Sequence, residues 1–187
     1  MIIIIQIIIY LFNLLKLVMK KYIFLDIDGV ISSLKSIENC FGGLTKECQD
    51  NLGEILSLTK AKIILTSSWR LNTIEETQEF MKNKGFLFCE EIVGVTIRAY
   101  KYINKESKIH LSIPRGVEIK QWIDTHIHSN NGKDCHYKKI GRDFNYVILD
   151  DDSDMLLEQK DYFIQCDSNE GLTKKECLIA VTILNKI

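Results

Sequence analysis

Asp26 and Asp28 stand two residues apart, with Gly29 immediately after them, at the end of the apolar run Tyr22-Ile23-Phe24-Leu25. Side chains two apart on an extended chain leave from the same face. Two carboxylates held that close repel each other unless a cation or a proton lies between them, so the pattern asks for a metal. Two further apolar runs end in oxygen donors. Ile63-Ile64-Leu65 leads into Thr66-Ser67, and Tyr146-Val147-Ile148-Leu149 leads into Asp150-Asp151-Asp152-Ser153-Asp154. A donor set made only of oxygen suits a hard cation, and magnesium fits best because it takes few carboxylates and keeps places for water and phosphate. With charge neutralised, one aspartate can attack phosphorus while its neighbour handles the proton.

These groups converge only if the elements beneath them are parallel. Short apolar runs rich in β-branched and aromatic residues read as buried strands of a parallel sheet, and chemistry in such sheets sits beyond the carboxyl ends of the strands. Between the runs lie helical patterns. Leu44, Cys48, Leu52, Ile55 and Leu56 recur at helical spacing, with Thr45 as the expected N-cap. Thr73-Ile74-Glu75-Glu76 and Thr173-Lys174-Lys175-Glu176 read as capping boxes. Pro114 suits a first helical turn and precedes Ile119, Trp122, Ile123 and Ile127 on one face. Residues 91–96 and 162–166 read as further strands, and residues 32–43 as a loop. Residues 97–113 read as irregular and basic, and residues 129–143 as a polar loop. Strands alternating with helices predict an α/β fold: a doubly wound, Rossmann-like parallel sheet with helices on both faces.

Composition sets the bounds. The 187 residues suit one well-buried domain, and the net charge of −1 gives no global call for nucleic acid. The six cysteines (Cys40, Cys48, Cys89, Cys135, Cys166 and Cys177) form no C-x-x-C pair, which fits a reducing compartment better than a disulfide scaffold. His126, His128, Cys135 and His136 match no tight zinc-knuckle spacing. Residues 1–18 are dominated by Ile and Leu, just long enough to span a bilayer, and the expected division is residues 1–18 as a hydrophobic extension and 19–187 as the domain. Two readings of the extension stay open, an upstream start or a membrane anchor through residues 2–18. The expected location is cytoplasmic in either case, since Lys16, Lys20 and Lys21 would keep the domain on that side of a membrane.

The motifs also carry a resemblance. Asp26-Ile27-Asp28-Gly29 resembles the D-x-D-G nucleophile motif of the haloacid dehalogenase-like (HAD) hydrolase superfamily. Thr66 at a strand end resembles its second motif, Arg115 at a helix start its third, and Asp150-Asp151 its fourth. More narrowly, Leu65-Thr66-Ser67-Ser68-Trp69-Arg70, Arg115-Gly116-Val117-Glu118-Ile119 and Val147-Ile148-Leu149-Asp150-Asp151-Asp152 resemble the HAD domain of "Swiss Army Knife" RNA-repair proteins. The resemblance implies a phosphatase in which Asp26 is the nucleophile and Asp28 the general acid/base. It implies that Thr66 and the Ser67 backbone N–H hold phosphate oxygens and that Arg115 adds positive charge. Mg2+ would be held by Asp26, the Asp28 carbonyl and one acid of Asp150, Asp151, Asp152 and Asp154, with Asp151 the expected ligand and Asp150 nearby.

Large cap domains, where the superfamily carries them, come after the first motif or lie between the second and third. Neither interval here is long enough for one. An open site admits large substrates, so the expected substrates are phosphorylated RNA or DNA ends, or nucleotides, with no obligate protein partner. Trp69 and Arg70 are expected beside the pocket, where Arg70 would bind substrate. Arg98, Tyr100, Lys101, Tyr102, Lys105 and Lys108 interleave bases with aromatics, the pattern of a single-strand contact or of a solvated loop. The alternatives are a small-molecule or phosphoprotein phosphatase, or a HAD-like binding module without turnover.

Overall fold

The computed structural model describes residues 19–37, 43–104, 109–126 and 144–186. The first strand, β1 (Lys20–Leu25), is joined to β2 (Lys62–Leu65) by helix α1 (Lys46–Thr59), and β2 to β3 (Ile92–Val95) by α2 (Ile74–Asn83). An antiparallel hairpin comes next, β4 (Tyr100–Asn104) and β5 (Ile109–Ser112). The chain then enters α3 (Arg115–His126), β6 (Phe144–Asp150), β7 (Phe163–Gln165) and α4 (Lys174–Leu184).

The five strands outside the hairpin form one parallel sheet in the order β3-β2-β1-β6-β7. The chain therefore runs outward from β1 to the β3 edge, then returns to β6 on the other side of β1. Ligands of open α/β sheets bind at such a reversal, beyond the carboxyl ends of the strands. Register makes the place definite. Leu25 pairs with both Leu65 and Leu149, so Asp26, Thr66 and Asp150 come next at one level.

Alternation along the strands builds two cores. Ile23, Leu25, Ile63, Leu65, Val147 and Leu149 face one side, against Leu52 and Ile55 of α1 and Cys177 and Ala180 of α4. Phe24, Ile64, Tyr146 and Ile148 face the other, against Ile119 and Trp122 of α3. Phe24 packs edge-on to Trp122 at 5.5 Å and to Tyr146 at 5.6 Å. Each fully buried side chain of this size contributes about 1.5–3 kcal/mol of burial. Both faces are covered, which is why these strands read as continuous apolar runs rather than as alternating ones.

The two capping boxes differ. Thr173 and Glu176 bond reciprocally at the start of α4. At α2 the Thr73 hydroxyl accepts from the Glu76 N–H at 3.1 Å, and that half alone is formed. Thr45 stands at the N-cap of α1 but spends its hydroxyl elsewhere, accepting from the Ser33 N–H at 3.2 Å. It thereby ties the helix to the loop after β1.

Two expectations need correction. Within residues 97–113, Tyr100–Asn104 and Ile109–Ser112 are not irregular but pair as antiparallel strands, while Lys105 and Lys108 lie outside the described residues. The return strand is too short to announce itself in sequence. Within residues 32–43, Leu34–Ile37 form a single helical turn. Of the cysteines, Cys48, Cys89, Cys166 and Cys177 are unpaired, and Cys40 and Cys135 lie outside the described residues. The extension 1–18, the loop 129–143 and His128 and His136 also lie outside them. No helix among the described residues is long and apolar enough to cross a membrane.

Candidate active site

The ladder of β1 continues one step past its last residue on each side. The Asp26 N–H donates to the Leu149 carbonyl at 3.0 Å, and the Thr66 N–H donates to the Leu25 carbonyl at 2.9 Å. These bonds hold Asp26 buried between the ends of β2 and β6. Asp26, Asp150 and Asp151 each offer a carboxylate oxygen, and the three lie within 4.8 Å of one another. Asp26 Oδ1 and Asp150 Oδ2 are buried and make no hydrogen bond. Buried carboxylate oxygens that accept no hydrogen bond are costly. An oxygen-only set with two such acceptors, faced by a single guanidinium nitrogen, fits a hard divalent cation, so the residues present suit magnesium.

Arg115 places positive charge beside the carboxylates. Its Nη1 lies 3.2 Å from Asp26 Oδ1 and 3.6 Å from Asp150 Oδ2. The same nitrogen donates to the Thr66 carbonyl at 2.7 Å. Burial alone would lower the guanidinium, but the charges of Asp26 and Asp150 outweigh it and raise its pKa above the ordinary value. Burial, joined by the Asp26 charge, pushes the Asp150 carboxyl up to about 7 against the opposing pull of Arg115. Burial and Asp26 raise Asp151 in the same way.

The acidic run after β6 separates into different tasks. Asp150 Oδ1 accepts from the Asp152 N–H at 3.0 Å, which folds the chain so that Asp151 turns toward Asp26. Asp154 instead accepts from the Arg115 N–H at 2.8 Å, meeting a free donor of the first turn of α3. Gly29 completes the cradle. Its φ is +72°, and a Cβ there would fall 2.2 Å from Asp151 Oδ2. Glycine is required both for the turn and for the approach of Asp151.

Asp28 is exposed and lies outside the three-carboxylate cluster. The Trp69 indole N–H donates to both its oxygens, at 3.1 and 3.0 Å, and the Ser68 hydroxyl lies 3.4 Å from Oδ2. Thr66 and Ser67 are fully buried, and the Ser67 hydroxyl accepts from the Trp69 N–H at 3.3 Å, shaping the turn after β2.

Arg70 does not face the site, contrary to its expected role in binding substrate. It is buried, and its five N–H groups are all engaged. Nε donates to Thr96 O at 2.9 Å, Nη1 to Thr66 O and Ser67 O, and Nη2 to Ile97 O and Glu118 Oε2 at 2.9 and 2.7 Å. Burial lowers its pKa below the ordinary value, although the Glu118 charge works against this. Glu118 also accepts from the Ala99 N–H at 2.7 Å. The pair thus locks the turn after β2, the base of the hairpin and α3 together. Sequence reading passed over Glu118, yet an acid one turn before Trp122 on a core-facing stripe is the signal that would have found it.

The family model describing the "HAD domain in Swiss Army Knife RNA repair proteins" matches residues 22–177. The chain belongs to that family. No curated protein and no solved structure matches it. The HAD domain spans every element from β1 into α4, with a hairpin between the second and third motifs and no large cap among the described residues.

Proposed function

We propose that this HAD domain is a magnesium-dependent phosphomonoesterase working through an aspartyl-phosphate, with nucleic-acid ends or nucleotides as its substrates. One observation carries the reading: Asp26, Asp150, Asp151 and Arg115 meet where the sheet reverses, with Asp28 two residues beyond Asp26.

In the first step an Asp26 oxygen attacks phosphorus, the bond to the ester oxygen breaks, and Asp28 delivers a proton to that leaving oxygen. In the second, Asp28 takes a proton from water as the water attacks phosphorus. Inorganic phosphate leaves and the Asp26 carboxylate is restored. Arg115, already beside Asp26, offers positive charge to the phosphoryl oxygens during both transfers, and Thr66 and the Ser67 N–H are assigned to hold them. Magnesium, held by Asp26, Asp150, Asp151 and the Asp28 carbonyl, supplies charge neutralisation when bound.

The substrate class rests on the family's RNA-repair description and on the short hairpin in place of a large cap. The test is a panel of end-phosphorylated RNA and DNA oligomers, mononucleotides, sugar phosphates and phosphopeptides with Mg2+, using wild type and Asp26→Asn. Release of phosphate from oligomer ends or nucleotides, lost in the variant, is expected. Preference for sugar phosphates or phosphopeptides would overturn the substrate class, and equal rates for wild type and Asp26→Asn would overturn the mechanism. Expression from Met1 and from Met19, with subsequent fractionation, tests the cytoplasmic location against an anchor in residues 2–18.

A further inference from the structure

We infer that Trp69 is the positioning residue for Asp28, fixing the direction in which that carboxylate exchanges its proton; the inference rests on the proposed phosphatase activity. Asp28 is exposed, and nothing in β1 itself restrains its side chain, because the ladder ends at Asp26. A free carboxylate would turn among staggered rotamers. Here both oxygens accept from a single indole N–H, at 3.1 and 3.0 Å, so the carboxylate is held symmetrically against one donor.

The donor is itself fixed. The Trp69 ring packs edge-on to Phe80 of α2 with centroids 6.0 Å apart, and the Lys84 ammonium lies 5.8 Å from its centre. The Trp69 backbone N–H is bonded to Ser67, and the Ser68 carbonyl accepts from Arg98 at the base of the hairpin. An indole N–H only donates, so it stabilises the carboxylate's placement without competing for the proton that Asp28 moves. Ser68 adds a weaker second donor, at 3.4 Å.

The test separates proton transfer from everything else. With an alkyl phosphate the leaving oxygen needs a proton, whereas 4-nitrophenolate leaves without one. The quantity compared is kcat/KM, which reports steps through the first irreversible transfer. Trp69→Phe keeps the ring contact with Phe80 and removes the donor. It should lower kcat/KM for the alkyl ester by roughly 10–100-fold, a part of the roughly 100–10,000-fold that general acid–base catalysis contributes, while 4-nitrophenyl phosphate changes far less. In an Asp28→Asn background the same change should have no selective effect, and Ser68→Ala should show a smaller loss of the same kind.

A second readout needs no turnover. The indole N–H resonance of Trp69, assigned with Trp69→Phe, should move in Asp28→Asn while that of Trp122 stays. Equal losses on both esters, or an unmoved Trp69 resonance, would overturn the inference alone. Wild type that hydrolyses neither ester would overturn the phosphatase reading and the inference with it.

Discussion

Gly29→Ala isolates the fit of the acidic cradle, because the structure contains its own control. At Gly29 φ is +72° and a new Cβ would meet Asp151 Oδ2 at 2.2 Å, Cγ at 2.3 Å and Cβ at 2.8 Å. Carbon atoms in contact sit at about 3.5–4.0 Å, so Asp151 or the turn must move by roughly 1 Å or more. The obstruction reaches the Asp151 Cβ, so rotation of its tip cannot relieve it. With Asp151 in its proposed place as a metal ligand, a displacement of about 1 Å should cost on the order of 100-fold in rate. The left-handed φ adds about 1–2 kcal/mol of instability, which lowers Tm by about 2–8 °C in a chain of this size. Gly85 has φ +86° and nothing within 4 Å of its would-be Cβ. Gly85→Ala should therefore lose similar stability and keep its activity. The assay is Mg2+-dependent phosphate release at a temperature where both variants are folded. Near-wild-type turnover in Gly29→Ala, or an equal loss in Gly85→Ala, would refute the reasoning.

Glu118→Ala should be costly, because it leaves the buried Arg70 guanidinium uncompensated and the Ala99 N–H without its acceptor. Breaking one side of a buried pair costs about 3–5 kcal/mol, or roughly 6–20 °C in thermal unfolding; a fall under about 2 °C would show that the pair does not hold these elements together. Asp150 gives a pH signature in the metal-free protein. Its folded pKa is pushed up to about 7, against about 3.9 unfolded. Between those values the folded chain keeps a proton the unfolded chain has released, so stability falls as pH rises from about 4 to about 7 and flattens above. Thermal midpoints in chelator should drop more steeply between pH 5 and 8 for wild type than for Asp150→Asn, and parallel profiles would contradict the assignment. Asp154→Ala should cost about 1 kcal/mol by denaturant unfolding, the worth of a lost helix-end acceptor, while Mg2+ affinity stays near wild type. A collapse of affinity would place Asp154 in the cluster instead.

The strand ends were legible because burial on both faces forces unbroken apolar runs, and a run that stops in Asp or Thr marks its own carboxyl end. Asp26, Thr66 and Asp150 could be read that way, and the register confirms that they share one level. What could not be read was the direction of side chains in the turns. Trp69 and Arg70 are neighbours, yet one reaches Asp28 and the other is buried against Glu118, 48 positions away. Nothing local distinguishes Asp151 from Asp154 either; their roles depend on where α3 docks. The hairpin was missed for the same reason, since a strand of four residues is defined by its partner more than by its own pattern.

The proposed chemistry depends most on one divalent ion being held by carboxylates drawn from β1 and β6. Calorimetric titration of Mg2+ into the folded, chelator-treated protein tests this directly. The expected result is one ion per chain, with binding abolished by Asp26→Asn and by Asp151→Asn and retained in Asp154→Asn. Titrations of the wild type and the Asp26→Asn and Asp151→Asn variants that superimpose, or no uptake by wild type, would contradict it.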